Sequence, residues 1–226
     1  MALLTISQLV KDFLAPDGST NRVVQVAHFQ LEERAQLALR GESGSGKTTF
    51  LNLIAGILKP DQGRIVVADE EMSALSEPGR DRLRARSIGY IFQTFNLLQS
   101  HTALENVLLG MSFGVGEDPV KAEGLLKRVG LGDRLHYRPR QLSTGQQQRV
   151  AVARALAGQP KLVLADEPTG NLDSTRSREA LVLIREVCRE NGAALLLVSH
   201  DPGVLGQFDQ VQDFHALNAA MKGAGQ

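Results

Sequence analysis

The chain has few of the features that mark secreted, membrane-spanning or nucleic-acid-binding proteins. It has a single cysteine, Cys188, which excludes an internal disulfide and a cysteine-cluster metal site and is typical of a reducing compartment. The longest purely apolar run, residues 193–198, is far shorter than the roughly 20 residues that a spanning helix needs. The 25 Lys and Arg balance the 25 Asp and Glu, and a net charge of zero disfavours a nucleic-acid partner. We therefore expect a cytoplasmic protein that binds no nucleic acid.

Tryptophan is absent and aromatic residues make up only 4% of the chain, yet 42% of its residues are hydrophobic. This composition is that of an ordinary globular protein and excludes general disorder. A length of 226 residues corresponds to one domain, or to one domain with a satellite lobe. We predict a single domain over residues 1–226, with a flexible tail at 219–226.

The order of the apolar patterns predicts an α/β fold. Short apolar or alternating runs predict strands over residues 3–10, 22–29, 35–39, 63–68, 162–165 and 193–198. Helical spacing predicts helices over 48–58, 121–129 and 143–157, and a further helix with Leu181, Ile184 and Val187 on one face. The polar, Arg-rich residues 72–140 are interpreted as an inserted helical lobe. Strands that alternate with helices imply a mostly parallel sheet flanked by helices, with ligands at the carboxyl ends of its strands.

A glycine-rich segment satisfies the phosphate-loop pattern G-x-x-x-x-G-K-[ST] and lies between a predicted strand and a predicted helix. The residues of this nucleotide-binding candidate are Gly41, Glu42, Ser43, Gly44, Ser45, Gly46, Lys47, Thr48 and Thr49. The glycines let backbone N–H groups surround phosphate oxygens at a helix start. Lys47 would reach the β- and γ-phosphates, and the Thr48 hydroxyl would bind Mg²⁺. The alternative, a Gly/Ser turn that merely caps a helix, leaves the lysine and the threonine unexplained.

Two adjacent carboxylates, Asp166 and Glu167, follow the predicted buried strand 162–165. Because side chains alternate along a strand, we expect these two to point differently. Asp166 would face the Mg²⁺ shell, and Glu167 would act as the general base for an attacking water. Such a pair could also be solvated charge at a strand end. The phosphate loop upstream favours the catalytic interpretation.

The segment Ser143-Thr144-Gly145-Gln146 predicts an anion site without a lysine of its own. Ser143 is a natural N-cap, and its hydroxyl, the Gly145 amide and the helix dipole suit a γ-phosphate held mainly by another loop. With the phosphate loop and the carboxylates, the segment resembles the signature of the ATP-binding cassette (ABC) ATPases. In that family the signature of one subunit closes over the ATP of its partner. The resemblance covers nearly the whole chain and implies a P-loop NTPase fold with an N-terminal antiparallel β-subdomain and an inserted α-helical subdomain.

The same resemblance suggests roles for four further residues. Gln93, in IFQTFN, looks like the glutamine that senses Mg²⁺ and the attacking water and links to the helical lobe. Asp173 looks like the D-loop aspartate, and His200 like the switch histidine that contacts the γ-phosphate. Phe13 falls where the family places an aromatic ring under adenine. Taken alone, Gln93 could be a surface amide, His200 a structural histidine and Phe13 a core ring.

Two longer segments, IFQTFNLLQSHTALENV and LVLADEPTGNLD, most resemble the lipoprotein-releasing and macrolide-exporting (LolD/MacB-like) ATPases and the division-associated FtsE type. This resemblance implies a homodimer that forms on ATP binding, hydrolyses Mg-ATP and drives an integral-membrane permease of MacB/FtsX-like type. The permease would dock on the helical lobe, through residues 94–98 and 104–113, at the cytoplasmic face of the inner membrane. The alternative is a signalling or mechanical ATPase that gates an extracytoplasmic enzyme through an FtsX-like partner. A catalytically weak binding subunit is disfavoured because Glu167 and His200 are both present.

Two features depart from the family pattern. Thr144 replaces the first glycine of the signature, which adds a β-branched side chain, although a helix start accepts threonine without strain. The C-terminal segment DQVQDFHALNAAM lacks the Asp-Gly hairpin that the family usually carries after the switch histidine. We therefore expect the last strands to be atypical.

Overall fold

The structure, a computed structural model, describes the backbone of residues 1–223 and the side chains of residues 1–221. Its strands are β1 (Ala2–Leu14), β2 (Thr20–Glu32), β3 (Gln36–Arg40), β4 (Gln62–Val67), β5 (Glu70–Glu71), β6 (Ile88–Ile91), β7 (Leu162–Asp166), β8 (Ala194–Ser199) and β9 (Gln210–Asp213). Its α-helices are α1 (Lys47–Ile54), α2 (Glu77–Ser87), α3 (Ala103–Ser112), α4 (Pro119–Arg128), α5 (Thr144–Ala157), α6 (Ser174–Glu190), α7 (Pro202–Leu205) and α8 (Phe214–Leu217). Short 3₁₀ helices cover Met72–Ala74, Pro139–Gln141 and Ala219–Gly223.

Two sheets organise these elements. The first is antiparallel, with strand order β2-β1-β4-β5, and the second is parallel, with order β6-β7-β8-β3-β9. Leu162 and Leu164 of β7 belong to the core cluster shared with the antiparallel sheet and α1, whereas Val163 and Ala165 belong to the cluster that packs on α6. Burial on both faces explains why the central strands are continuous apolar runs. The carboxyl ends of the parallel strands lie at one edge of the sheet, where the site is found.

The helical lobe has a core of its own. The α3 and α4 helices pack with α5 around a cluster that includes Val107, Met111, Leu126 and Val150. Thr102 begins α3 with a capping box, which satisfies backbone donors at the helix start. This lobe is attached to the parallel sheet by the segment after β6 and by α5.

The structure differs from the sequence predictions at the end of α1 and at β6. The helix predicted over 48–58 ends at Ile54, because Gly56 takes a left-handed φ of 67°. The β6 strand was not predicted. It lies inside the segment 72–140 that was interpreted as helical, yet it pairs with β7 in the parallel sheet. The flexible tail at 219–226 stays a prediction: Ala219–Gly223 form a 3₁₀ helix, and residues 224–226 lie outside the described residues.

After His200, the described part of the chain consists of the short helix α7, the edge strand β9, the short helix α8 and the 3₁₀ helix Ala219–Gly223, with no hairpin among residues 201–223. Within residues 1–223, no helix combines the length and the hydropathy needed to cross a membrane.

Candidate nucleotide-binding and catalytic site

The predicted phosphate loop connects β3 to α1 at the carboxyl edge of the parallel sheet. Gly44 and Gly46 have φ values of 79° and 91°, a region that glycine enters without strain. Gly46 is also the N-cap of α1, and a Cβ there would lie 2.8 Å from the carbonyl oxygen of Val23. Glycine is therefore required at this position by both backbone angle and space. The loop and the following helix start form the arrangement that binds phosphate through backbone N–H groups.

Lys47 lies inside this loop. Its side chain is buried, and Nζ donates to the carbonyl oxygens of Gly41 and Glu42, each at 2.6 Å. Burial lowers the pKa of Lys47 below its usual range, and the Glu167 carboxylate, with one oxygen 3.9 Å from Nζ, opposes this shift. Phosphate oxygens are stronger acceptors for an ammonium group than neutral carbonyls are. The lysine is thus positioned to exchange its carbonyl partners for a phosphate.

A cavity of about 270 Å³ contains the phosphate loop together with Gln93, Asp166, Glu167 and His200. The structure therefore brings the phosphate loop together with site residues from three other, distant segments of the sequence. Burial raises the pKa of Asp166, and the hydroxyl of Thr48 opposes this shift. A hydroxyl beside a buried carboxylate is an all-oxygen donor set of the kind that Mg²⁺ prefers. The residues present fit the predicted metal.

Three hydrogen bonds hold the Glu167 carboxylate. Oε1 accepts from the backbone N–H of His200 at 3.1 Å and lies 2.7 Å from His200 Nδ1, while Oε2 accepts from Ser199 Oγ at 2.9 Å. Glu167 has a left-handed φ of 43°, which is uncommon for a residue with a side chain and typical of functional positions. The β7 strand ends at Asp166. The turn at Glu167, and not strand alternation as predicted, directs the second carboxylate into the same cavity as the first.

Two connections around this site were missed by the sequence analysis. Ser199, which binds the Glu167 carboxylate, is the last residue of β8, and its place at the end of a parallel strand was the available signal. Asn171 donates from Nδ2 to the carbonyl oxygen of Gln93 at 2.8 Å. This bond links the segment before α6 to the segment that leads into the helical lobe. No local sequence pattern indicated it.

The signature segment forms the start of α5. Ser143 and Gln146 make a reciprocal capping box, with Ser143 Oγ accepting from the Gln146 N–H and Gln146 Oε1 accepting from the Ser143 N–H. Thr144 is exposed, and a Cβ on Gly145 would meet no atom within 4 Å. The segment lines a cavity of about 250 Å³ that shares no lining residue with the phosphate cavity in the described part of the chain. One subunit therefore keeps its signature away from its own phosphate loop.

Asp173 and Phe13 lie outside the phosphate cavity. Asp173 is the N-cap of α6 and accepts from the N–H of Arg176 at 3.0 Å. Phe13, near the end of β1, has 39% of its surface exposed, and Lys11 Nζ lies 5.4 Å from its ring centroid. The alternative of a core ring is therefore wrong for Phe13. Its role under adenine stays a prediction.

A phosphate loop, a paired carboxylate site and a separate helix-start signature on one α/β domain define an ATPase of the ATP-binding cassette class. The family model described as ABC transporter matches residues 24–170, more than half of the chain. The chain belongs to this family and is an ABC ATPase subunit, as the sequence resemblance predicted. The predicted fold class, with its antiparallel sheet, parallel sheet and helical lobe, is confirmed as well.

Relatives are similar over most of their length. The lipoprotein-releasing system ATP-binding protein LolD of Pseudomonas syringae pv. tomato is 42% identical over 215 residues, which is 93% of each chain. The protein of the same name from Anaeromyxobacter dehalogenans is 50% identical over 178 residues, 77% of this chain and 74% of that one. Among solved structures, a dimeric post-hydrolysis state of the ATP-binding cassette MJ0796, bound to ADP and Pi, has a TM-score of 0.85 at 31% identity and covers 96% of this chain and 95% of that chain.

Proposed function

We propose that this chain is the ATPase subunit of a lipoprotein-releasing type of transporter, and that it works as a homodimer around two Mg-ATP on an inner-membrane permease. The observation that most directly supports the dimer is that the two halves of the ATP site, the phosphate loop and the signature, are separate on one subunit. The phosphate loop and the signature line different cavities. The open space at Gly145 lets a phosphate held by a second copy approach the start of α5. Two copies related by a twofold axis complete two identical sites.

The residues of the phosphate cavity divide the chemistry among them. The loop N–H groups and Lys47 bind the phosphates and orient the γ-phosphoryl group for attack by water. Thr48, Asp166 and Gln93 would hold Mg²⁺, which neutralises phosphate charge when it is bound. Glu167 accepts the proton of the attacking water. Its Oε2 has capacity for that proton, because it receives one hydrogen bond where Oε1 receives two from His200.

His200 acts on this chemistry through Glu167. The structure places its imidazole against the Glu167 carboxylate, at 2.7 Å from Nδ1 to Oε1, although 64% of its side chain is exposed. An exposed ring beside the general base can rotate toward the γ-phosphate once ATP is bound, which is the role predicted for it. Asp173, exposed at the start of α6, would contact the second copy as the D-loop aspartate.

A groove between α2, β6 and the helical lobe supports docking of the permease on that lobe. This groove of about 580 Å³ has an apolar lining that includes Ile57, Phe92, Leu109 and Phe113. Phe113 is 77% exposed, and an exposed aromatic ring beside an apolar groove is typical of an interface. The relatives are named as ATP-binding proteins of a lipoprotein-releasing system, and in our proposal the partner in that system is an inner-membrane permease, with the subunit at its cytoplasmic face. Leu97, predicted to dock, is instead buried in the core of the lobe.

Mixed dimers test the shared site. Lys47→Ala removes the loop lysine and Ser143→Arg blocks the signature, so each variant alone should be inactive. When the two are mixed, the loop of the Ser143→Arg subunit meets the signature of the Lys47→Ala subunit. ATP hydrolysis should then recover to roughly a quarter of the unmodified rate or more, because random pairing makes half of the dimers mixed, each with one intact site, and a variant that does not pair with itself raises that fraction. Mixed dimers that form without any recovery would contradict the shared site.

The transport assignment needs a separate test. The subunit is reconstituted with its permease in membrane vesicles that contain a radiolabelled lipoprotein, and release is followed after addition of ATP. Release that depends on ATP and on Glu167 supports the lipoprotein-releasing type. ATP hydrolysis stimulated by the permease without any release would favour the mechanical ATPase with an FtsX-like partner.

A further inference from the structure

The C-terminal segment that departs from the family pattern touches the phosphate loop and its flanks at three points. We call residues 213–221 the C-terminal brace. Asp213 accepts from Nη2 of Arg40, the residue before the loop, at 2.7 Å. The Phe214 ring is fully buried, with its centroid 5.2 Å from that of Phe50 in α1. Asn218 reaches the loop itself, at the carbonyl oxygen of Ser45.

The Asn218 side chain uses its full hydrogen-bonding capacity. Its Nδ2 donates to the carbonyl oxygen of Val23 at 2.9 Å and to that of Ser45 at 3.2 Å. Its Oδ1 accepts from the N–H of Gln25 at 2.7 Å and from that of Ala220 at 3.3 Å. The residue has no exposed surface. This buried amide joins β2, the phosphate loop and its own segment. Removing it would lower the stability of the fold, because its buried partners would be left without hydrogen bonds.

The bond to Ser45 fixes the orientation of one peptide plane. In a trans peptide the carbonyl and the following N–H point in opposite directions. Because the Ser45 carbonyl points outward to Asn218, the Gly46 N–H points to the other side of the loop. Gly46 is the residue before Lys47, and its N–H belongs to the start of α1, where phosphate binds. A Cβ on Gly46 would lie 3.5 Å from Asn218 Nδ2, so the two residues pack directly against each other.

We propose that Asn218 is a positioning residue for nucleotide binding, which holds the Gly46 N–H toward the phosphates through the Ser45 carbonyl. The brace supplies this support where the family usually has a hairpin. Asn218 itself does not contact the nucleotide. Its loss should therefore weaken the binding of ATP and ADP alike, because both carry the phosphates that the loop surrounds, and should change turnover at saturating ATP much less.

The test compares Asn218→Ala with Asn106→Ala as a matched control. Asn106 is also fully buried and also uses its side-chain amide in several hydrogen bonds, all within the helical lobe. Both variants should melt at a lower temperature. Only Asn218→Ala should raise the Kd for Mg-ADP and the KM for ATP, by about tenfold, with kcat within a few-fold of the unmodified subunit. A folded Asn218→Ala subunit with unchanged Kd would overturn the proposal.

Two further measurements cover the case in which Asn218→Ala does not fold. Asn218→Ser keeps one hydroxyl donor on a shorter side chain and should weaken Mg-ADP binding less than Asn218→Ala does. In the unmodified subunit, hydrogen exchange of the Asn218 side-chain amide, followed by NMR, should slow on addition of Mg-ADP, because binding and the loop contact are linked. Equal exchange rates with and without Mg-ADP would overturn the proposal. An unmodified subunit that binds no nucleotide would count against the ATPase assignment and not against Asn218.

Discussion

Replacing the Glu167 carboxylate with an amide removes the proposed proton acceptor and leaves its surroundings in place. Oε1 accepts two hydrogen bonds from His200, and the carbonyl oxygen of a glutamine can accept both. The new NH₂ group would face the Ser199 hydroxyl, which can rotate from donor to acceptor. Glu167→Gln should therefore fold with nearly unchanged stability. It should also bind ATP, because Lys47 and the loop N–H groups are untouched.

Glu167→Gln should slow the chemical step of ATP hydrolysis. Loss of a general base typically reduces the rate by about 10² to 10⁴, which is roughly 3 to 5 kcal/mol of barrier. Lys47 cannot replace it as a proton acceptor, because its ammonium group, 3.9 Å from Oε1, is cationic. Removing a negative charge beside the γ-phosphate should, in addition, strengthen the ATP-bound closed state. Each ATP bridges two subunits in the proposed dimer, so blocked hydrolysis should trap that dimer.

Phosphate release and sizing chromatography with excess ATP measure the two effects on the same sample. The matched control is Glu123→Gln, which removes a partly exposed carboxylate paired with Lys127 on α4 and should change neither the rate nor the elution volume. Glu167→Gln should elute as a dimer with ATP and release almost no phosphate. A normal rate would show that Glu167 is not the general base, and Gln93 or His200 would have to be tested in its place. Elution as a monomer would contradict the trapped dimer.

Four other substitutions separate binding, signature, docking and stability. Lys47→Ala should weaken ATP binding by about 10- to 100-fold, as expected for charge-assisted hydrogen bonds, and leave a monomer in sizing chromatography with ATP. Thr144→Gly should leave turnover within several-fold of the unmodified subunit, because Ser143 supplies the cap; a loss as large as that of Ser143→Arg would give the threonine a role. Phe113→Glu should abolish co-purification with the permease and leave basal ATP hydrolysis unchanged. Leu97→Glu should instead lower the free energy of unfolding, measured with urea, by about 3 kcal/mol or more, because it buries a charge. If Phe113→Glu still co-purifies with the permease, the permease docks on a different surface of the subunit.

Features that depend on neighbouring residues were predictable from the sequence. The phosphate loop, the Asp166–Glu167 pair and the cap at Ser143 each follow from spacing within a short segment. The convergence of the phosphate loop and the Asp166–Glu167 pair also followed, because parallel strands bring their carboxyl ends to one edge of a sheet. The β6 strand was missed because four residues between an Arg-rich helix and a polar segment carry little periodicity. Local pattern also could not separate Leu97, which is 7% exposed, from Leu98, which is 41% exposed.

Contacts between distant segments were not predictable in the same way. Asn218 and Ser45 are 173 positions apart, and neither residue type nor spacing in the C-terminal segment indicates a partner in the loop. The sequence showed only that the usual hairpin is absent. The structure shows a buried Phe214 and a fully bonded Asn218 in that segment. A loop whose glycines give it no preferred conformation of its own must be held by its surroundings. A change in those surroundings therefore requires a new support for the loop, and in this chain the observed contacts of the brace provide one.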